Sequence, residues 1–310
     1  SESTPGVRNH IDQALADQMV ARAMDVGVNL FDSADAYCGG ESEAMLGQAL
    51  AGKRDQVVIS TKVGHRMGPA MTARGLSRRN LVQACEASLS RLGPDWMDLY
   101  QFHIPDPLTP VEETLRGLED LITAGKVRYG GFSNFTAWRA ASMLGAQKAL
   151  GYSPFAVAQM YYSLLGRDLE HECIPFYQDA GIGLLAWGPL AGGYLSGKYT
   201  QEGGASDDSR RQALPFPPLD PDVGDKVVDV LRRIGRERDA KPAQLAIAWM
   251  LANRAVTSVI VGASRMTQLE ENLAAAGIAL TPAEIEELNA LTQPAPPYPV
   301  WMEPMGEDPV

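Results

Sequence analysis

The 310-residue sequence has few cysteines and no long apolar segment. Its three cysteines, Cys38, Cys85 and Cys173, are odd in number, lie far apart and show no metal-ligand spacing. No disulfide framework and no metal site are therefore predicted, and a reducing cytoplasmic compartment is expected. Ala180–Gly197 is uncharged over eighteen residues, but its six glycines and Pro189 are typical of strand and loop. No membrane partner is expected from it.

The sequence is also short of positive charge. Twenty-seven lysines and arginines stand against 38 acidic residues, which gives a formal net charge of −11. Such a chain repels the phosphates of nucleic acids, so no nucleic-acid partner is expected. Hydrophobic residues make up 45% of the chain. This is enough apolar material to form a core, and it excludes general disorder.

Short β-branched or apolar runs alternate with longer segments of helical periodicity, and this alternation predicts a parallel sheet buried on both faces. The seven strand candidates are Val28–Ala34, Gln56–Gly64, Met97–His103, Val127–Asn134, Ala156–Ser163, Ile182–Leu190 and Ser258–Ser264. Two of the helices have a clear start signal. Thr109–Glu112 and Thr281–Glu284 each combine a capping threonine, a proline at the first helical position and a glutamate that completes a capping box.

Two architectures are compatible with this alternation, a doubly wound open sheet and a closed barrel, and polar residues distinguish between them. In barrel enzymes, the catalytic residues lie at the carboxyl ends of the strands. The polar or aromatic residues at the ends of successive strand candidates are Asp32, Lys62, His103, Asn134 and Trp187. An open dinucleotide-binding sheet would carry G-x-G-x-x-G after its first strand, and the sequence lacks this motif. The predicted fold class is therefore α/β, a (β/α)8 TIM barrel.

Seven strand candidates are one fewer than this barrel requires. The sequence opens with a loop-like segment and then a helical pattern, whereas the first strand of a barrel should precede that helix. Either an N-terminal segment is missing from the sequence or one strand is not recognisable, and the first explanation is favoured. Residues 1–310 are expected to form a single barrel domain.

Four residues, Asp32, Tyr37, Lys62 and His103, are the candidates for catalysis. Each alone has an ordinary structural interpretation, as a turn residue, a solvated strand end or a satisfied polar group. On a barrel, however, strand ends separated by 30 and 41 residues meet around one mouth. A nearby ammonium makes a phenol a better proton donor, a carboxylate holds that ammonium charged, and an imidazole can orient a carbonyl oxygen. The combination predicts protonation of a carbonyl oxygen as hydride reaches its carbon.

Several motifs in order make the sequence resemble the aldo-keto reductases, from about Ala21 to Trp301. They are Gly27–Tyr37, Ser60–Lys62, Asp98–His103, Gly131–Asn134, Gln159–Tyr161, Trp187–Leu190 and Gly262–Ser264, with Gln268, Glu271 and Asn272. The resemblance implies that Tyr37 is the general acid and that Lys62 strengthens it. It also implies that Asp32 anchors Lys62 and that His103 orients the carbonyl.

The same resemblance implies that NADP(H) is the cofactor. Ser133, Asn134 and Gln159 match positions that bind the nicotinamide carboxamide, and Trp187 matches the aromatic residue that stacks on the ring. The positions that match the pyrophosphate loop are Gly188, Pro189, Leu190, Gly193 and Lys198. Those that match the adenosine end are Gly262, Ser264, Gln268, Glu271 and Asn272.

The choice between NADP(H) and NAD(H) depends on two cations. Arg265 and Lys198 are available for a 2′-phosphate, which an acidic protein must attract locally. The segment Ser264–Asn272 is most similar to bacterial members and to potassium-channel β-subunits. It lacks the lysine and arginine that aldose-reductase-like members place there. NADP(H) is predicted, although Arg265 could also be a solvated charge at a helix start.

The leading function is that of an oxidoreductase that reversibly reduces a small aldehyde or ketone to an alcohol with NADPH. The alternative is an NADP(H)-binding regulatory module similar to channel β-subunits. A third candidate, a Schiff-base lyase, would need a neutral Lys62 although Asp32 would hold it charged. The carbonyl substrate would be set by the loops Gly64–Arg79, Gln201–Leu219 and Pro294–Val310, which have no readable code. A homo-oligomer is compatible with the sequence.

Overall fold

The computed structural model describes residues 11–199 and 215–302. Parts of two predicted substrate loops, at 201–214 and 303–310, lie outside these residues. The chain divides into two compact units. Unit 1 comprises the chain up to Met160 together with Gly262–Leu273, and unit 2 comprises Tyr161–Val261 and the chain from Ala274 onwards. A single domain over 1–310 stays a prediction.

Helices and strands alternate along the described chain. In order they are α1 Gln13–Asp25, β1 Leu30–Asp32, α2 Glu41–Ala49, β2 Val58–Val63, α3 Arg78–Leu92, β3 Met97–Phe102, α4 Val111–Thr123, β4 Val127–Ser133, α5 Ala137–Leu150, β5 Val157–Tyr161, α6 Cys173–Ala180, β6 Gly183–Trp187, α7 Pro221–Arg238, α8 Pro242–Ala252, β7 Val256–Ile260, α9 Met266–Ala274 and α10 Pro282–Thr292. In unit 1, the pairs β1–β2, β2–β3, β3–β4 and β4–β5 are all parallel. In unit 2, β6 pairs with β7, also in parallel.

These pairings confirm the predicted parallel strands and their alternation with helices. Six predicted strands contain the observed ones. The seventh begins two residues earlier than expected, at Val256, and ends at Ile260, so Ser264 lies beyond the strand. An eighth strand upstream of the sequence stays a prediction. No helix within 11–199 or 215–302 combines the length and apolar character that a membrane span needs.

The helices of unit 1 cover the outer side of its strands with apolar residues. The cluster at the amino-terminal part of the sheet is formed by Val20, Ala23, Phe31, Ala49, Leu50, Val57, Ile59 and Leu92. Helix α3 shows how the sequence specifies this packing. Ser77 caps its first turn by accepting a hydrogen bond from Asn80 N, and Gly93 ends it at a φ of 97°. Between them the buried residues recur every three or four positions, facing the core.

One of the two predicted capping boxes is wrong. Helix α4 begins at Val111 with Pro110 as its cap residue, and no side chain caps it. The Thr109 hydroxyl instead donates to the Asp106 carboxylate at 2.7 Å, because a charged oxygen acceptor is within reach three residues earlier. The box at Thr281 is confirmed, since Thr281 and Glu284 exchange hydrogen bonds at the start of α10.

Unit 2 has its own core around α8, which is apolar on all sides and has seven buried residues. Helix α7 packs against α8 and α10 and buries Val227, Val228, Leu231 and Ile234 at helical spacing. The buried Arg167 is satisfied by both oxygens of Glu170, at 2.7 and 2.9 Å, and by the Thr292 hydroxyl. Such pairing is what allows a guanidinium to lie in a core.

Strand register aligns polar side chains near the carboxyl ends of the unit 1 strands. Asp32 of β1 lies opposite Ser60 of β2, and Lys62 lies opposite Gln101 of β3. His103 follows β3 directly. Since parallel strands end at the same edge of a sheet, these residues meet there.

Candidate active site

The centre of the site is a buried ion pair between Lys62 and Asp32. The Lys62 side chain is fully buried, and its ammonium contacts the Asp32 carboxylate. It also donates a hydrogen bond to the Ser33 carbonyl oxygen at 2.7 Å. A lone buried ammonium is very unfavourable, whereas one with a carboxylate and a carbonyl as partners stays charged. The contact is the one the sequence predicted.

Further donors fix the orientation of the Asp32 carboxylate. Oxygen Oδ1 accepts from the Ser60 hydroxyl at 2.8 Å and from Gln159 Nε2 at 2.9 Å. Gln101 Nε2 donates to the Ser60 hydroxyl at 2.7 Å. Ser60 and Gln101 were not singled out in the sequence. The signal was their position two residues before Lys62 and His103, which puts each pair on the same face of its strand.

Tyr37 lies beside this ion pair on a tight turn after β1. The turn Tyr37–Gly40 has three consecutive left-handed residues, of which Cys38 is the strained one, with a φ of 49°. Lys62 Nζ lies 5.0 Å from the centre of the Tyr37 ring. The tyrosine is 41% exposed. A buried positive charge therefore lies close to a phenol that solvent can reach.

His103 contacts Tyr37 edge to face, with ring centres 5.5 Å apart. Burial lowers the pKa of His103 to about 3, with contributions from the charges of Lys62 and His65. Its ring is therefore neutral at physiological pH, and one nitrogen carries a proton that it can donate. Nδ1 is buried and has no partner among the described residues. Such an orphaned nitrogen is uncommon in a core.

His65 lies two residues after β2, in the predicted substrate loop Gly64–Arg79. Its ring packs edge to face on His103, with centres 4.4 Å apart. Burial lowers its pKa as well. Two neutral imidazoles and a phenol thus lie together. In the sequence, the signal for His65 is its position three residues after Lys62. That spacing alone does not show whether a side chain lines the site or is exposed to solvent.

The three residues predicted to bind the nicotinamide carboxamide are linked to one another. Asn134 Nδ2 donates to the His103 carbonyl oxygen at 3.0 Å and to the Ser133 hydroxyl at 2.9 Å. Ser133 Oγ donates to the Gln159 carbonyl oxygen at 2.6 Å. Because Gln159 also donates to Asp32, one chain of hydrogen bonds joins these residues to the buried ion pair.

In unit 2, Trp187 is the last residue of β6 and is half-buried. Its ring stacks with Phe216 at 5.8 Å and is tilted against Tyr161 at 5.1 Å. Gly188 follows at a φ of 72°, and a Cβ atom there would lie 3.0 Å from the Tyr161 ring. Pro189 is buried and Leu190 is half-buried.

The loop that continues from Leu190 has a glycine-rich backbone with left-handed residues. Ala191, Gly192 and Gly193 all have positive φ values, between 48° and 92°. A Cβ atom at Gly193 would lie 3.3 Å from Lys198 Nζ. An exposed ammonium beside a glycine backbone fits a diphosphate, since phosphates bind at such open backbone turns.

In unit 1, the residues predicted for the adenosine end lie in the segment before α9 and within α9 itself. Ser264 donates from both its backbone nitrogen and its hydroxyl to Gln268 Oε1, each at 3.1 Å. Asn272 is buried, Glu271 is half-buried, and the nearby Gly262 is exposed. Arg265 is exposed and has no ion pair with a described residue. Whether these residues share one groove with those of unit 2 stays a prediction.

A family model described as "Aldo/keto reductase family" matches residues 2–293 of the chain. Among curated proteins, the chain is 38% identical to a probable voltage-gated potassium channel subunit beta of Arabidopsis thaliana, over 94% of this chain and 91% of that protein. It is 33% identical to an aldo-keto reductase of Fusarium vanettenii, over 94% and 84% of the two chains. A putative channel subunit beta of Schizosaccharomyces pombe is 34% identical, over 87% and 82%.

Proposed function

Because the chain belongs to the aldo/keto reductase family, we propose that it reversibly reduces a small aldehyde or ketone to an alcohol with NADPH. The fold is the (β/α)8 TIM barrel of this family, as the sequence predicted, and the chain is an oxidoreductase. Family members generally use NAD(P)H. The choice of NADPH, the carbonyl substrate and the roles of individual residues are parts of the proposal.

The observation that supports the proposal best is the group formed by Lys62, Asp32, Tyr37 and His103. It combines a buried ammonium, held charged by a carboxylate, with an exposed phenol 5.0 Å away. It also contains an imidazole that burial keeps neutral. A carbonyl reduction needs a proton donor and a hydrogen-bond donor at the same oxygen, and this group supplies both.

In the proposed reaction, Tyr37 donates its phenolic proton to the carbonyl oxygen. Lys62 stabilises the negative charge that remains on the phenol oxygen, and Asp32 keeps Lys62 in place. His103 donates a hydrogen bond from its neutral ring and orients the carbonyl. NADPH, when bound, supplies the hydride. In the reverse direction, the Tyr37 phenolate takes the proton of the alcohol.

The side chains at the predicted cofactor positions have the donors, acceptors and charges that NADPH requires. Asn134 uses its amide protons within the protein, so it would bind the carboxamide nitrogen through its side-chain oxygen. We assign Ser133 and Gln159 to the same ring, and Trp187 to its face. The loop Gly188–Gly193 with Lys198 would bind the diphosphate. Ser264, Arg265, Gln268, Glu271 and Asn272, with Gly262 before them, would bind the adenosine and its 2′-phosphate.

Lys62 does not fit a Schiff-base nucleophile. A nucleophilic lysine must be neutral and must reach its substrate, whereas the Lys62 side chain is fully buried and paired with Asp32. Borohydride should therefore fail to trap a carbonyl compound on Lys62. A trapped adduct at this residue would favour the lyase instead.

A regulatory channel-subunit role is the second candidate, and the relatives named as channel subunits beta favour it. The two functions differ in turnover. A panel of aldehydes and ketones with NADPH and with NADH, followed by nucleotide absorbance, tests the proposal. Reduction of at least one carbonyl class that depends on Tyr37 supports the enzyme. Tight binding of nucleotide without turnover of any carbonyl favours the regulatory module.

A further inference from the structure

Asp35 is a buried carboxyl group to which the proposed reaction gives no role. It lies between Asp32 and Tyr37 in the sequence and is 2% exposed. Neither carboxyl oxygen has a hydrogen-bond partner among the described residues. The Ala36 N–H interacts with it without reaching hydrogen-bonding geometry. Burial of an ionised carboxylate without partners is unfavourable, so burial stabilises the protonated form of Asp35 relative to the ionised one.

Titratable groups on four elements interact electrostatically with Asp35. Glu43 of α2 pairs with Arg91 of α3 at 2.6 Å, Lys62 comes from β2, and Tyr100 is fully buried on β3. Burial and the Glu43 carboxylate raise the pKa of Asp35 to about 7, although Arg91 and Lys62 act in the opposite direction. Burial raises the pKa of Tyr100 well above its usual value, so that phenol stays neutral.

The backbone of Asp35 is hydrogen-bonded to the backbone of Lys62. The Asp35 nitrogen donates to the Lys62 carbonyl oxygen at 3.2 Å. The Lys62 ammonium donates to the Ser33 carbonyl oxygen, two residues before Asp35. Tyr37, two residues after Asp35, donates from its nitrogen to Ala34 at 3.1 Å. The short segment that presents Tyr37 is therefore held on Lys62, with the Asp35 carboxyl in its middle.

We propose that Asp35 is a positioning residue that sets the acid strength of Tyr37 through its own protonation. When Asp35 is neutral, Asp32 alone balances the Lys62 charge. When Asp35 loses its proton, a second negative charge lies near Lys62, and Tyr37 releases its proton less readily. Carbonyl reduction then slows. This inference rests on the proposed function.

The test is the pH profile of kcat for carbonyl reduction in wild type and in Asp35→Asn. The wild-type rate should fall on the order of three- to tenfold between pH 6 and pH 8, because ionised Asp35 adds a negative charge to the buried groups around Lys62 and weakens Tyr37 as an acid. The Asp35→Asn variant should lack this step and should exceed the wild type at pH 8. The exposed Asp95 gives a matched control, and Asp95→Asn should keep the step.

Two further measurements separate this role from a purely structural one. In protein labelled with carbon-13 at aspartate side chains, infrared spectra should show a protonated carboxyl band that fades from pH 6 to pH 8 and is absent from Asp35→Asn. Glu43→Gln should move the step in kcat to lower pH, since the Glu43 charge raises the pKa of Asp35. The Glu43→Gln profile does not need the Asp35→Asn variant, so it tests the inference even if Asp35→Asn fails to fold.

An Asp35 that is ionised throughout pH 6 to 8, or a kcat step that Asp35→Asn retains, would overturn the inference while leaving the reductase proposal intact. If no carbonyl compound is reduced at any pH, both fail. The two failures are thus distinguishable.

Discussion

Burial shifts the pKa values of His103 and Asp35 in opposite directions. It lowers the pKa of the imidazole to about 3 and, together with Glu43, raises the pKa of the carboxyl to about 7. In each case the neutral form is favoured, because a low-dielectric interior disfavours charge. Lys62 is the exception, since Asp32 offsets its charge. Proton transfer by His103 would require an imidazolium that is scarcely populated above pH 5, which leaves Tyr37 as the better acid.

Replacing Tyr37 by phenylalanine tests that assignment. The ring contacts with His103 and Lys62 remain, so the Kd for NADPH should change little. We expect kcat to fall by about 10² to 10⁴, the usual contribution of a general acid. Lys62→Met should also be severe, and the double variant should lose no more than the worse single one, since both groups act through one proton. Turnover near the wild-type rate in Tyr37→Phe would refute the assignment.

The raised pKa of Asp35 also predicts a pH-dependent stability. A folded-state pKa of about 7, against 3.8 for a free aspartate, means that the folded protein binds this proton more tightly than the unfolded chain. The stabilisation from this group is full below pH 4 and is lost as the pH rises to 7. The free energy of unfolding of Asp35→Asn, relative to wild type, should therefore rise by about 2–4 kcal/mol between pH 4 and pH 8. Urea unfolding at both pH values measures it.

The contribution of His103 to stability should depend on pH in the opposite direction. Its folded-state pKa of about 3 lies below the ordinary value of 6.5, so the unfolded chain binds the proton more tightly. Its contribution to stability is present above pH 6.5 and is lost as the pH falls towards 3. His103→Gln should therefore gain stability relative to wild type as the pH falls below 6.5.

For Asp35, a difference in unfolding free energy between Asp35→Asn and wild type that stays constant at every pH would contradict the predicted ionisation of Asp35.

The residues of the site were only partly predictable. Asp32, Tyr37, Lys62 and His103 could be found because charged or polar residues at strand ends are conspicuous. Ser60 and Gln101 could not, since serine and glutamine in a strand have many uses. Their hydrogen bonds to Asp32 and to each other depend on the register between three strands, which local sequence does not specify.

At the scale of elements, prediction depended on how local each signal is. The seven strands were predictable because their apolar runs are bounded by turns and helices with a different period. The predicted start of α4 was wrong because the Thr109 hydroxyl donates a hydrogen bond to Asp106. The position of Asp106 is set by β3 and the loop after it. At Thr281 the capping box forms with Glu284, as the local sequence predicted.

Two helical glycines give a matched test of packing between elements. In α2, a Cβ atom at Gly47 would lie 2.2 Å from the Leu92 carbonyl oxygen of α3, and backbone cannot move aside easily. Gly47→Ala should destabilise the protein by about 1–3 kcal/mol or more, the usual range for overpacking. In α5, Gly145 is exposed and a Cβ atom there meets nothing within 4 Å.

Gly145→Ala is the control, and it should stabilise the fold by about 0.5–1 kcal/mol through lower backbone entropy in the unfolded chain. Thermal unfolding of both variants measures the contrast. Equal effects of the two alanines would show that the α2–α3 contact is less close than the structure has it.

At the scale of the whole molecule, the charge of −11 is unfavourable for an anionic cofactor. Attraction must therefore come from cations placed next to each phosphate. Lys198 in unit 2 and Arg265 in unit 1 are both exposed. Only the second is predicted to distinguish NADPH from NADH, because it stands at the adenosine end. The sequence could suggest this cation, but not whether a 2′-phosphate reaches it, since that depends on how the bound nucleotide lies.

Arg265→Ala tests the predicted preference for NADPH. Loss of a charge-assisted hydrogen bond costs about 1.5–3 kcal/mol, so the Kd for NADPH should rise about 10- to 100-fold while the Kd for NADH changes little. Fluorescence titration measures both, and the nucleotide-dependent rise in Tm checks them independently. Arg254→Ala is the control for net charge, because Arg254 is also exposed but precedes β7 rather than following it. An equal loss of affinity for NADPH and NADH in Arg265→Ala would mean that this guanidinium does not contact the 2′-phosphate, and it would contradict the predicted preference for NADP(H).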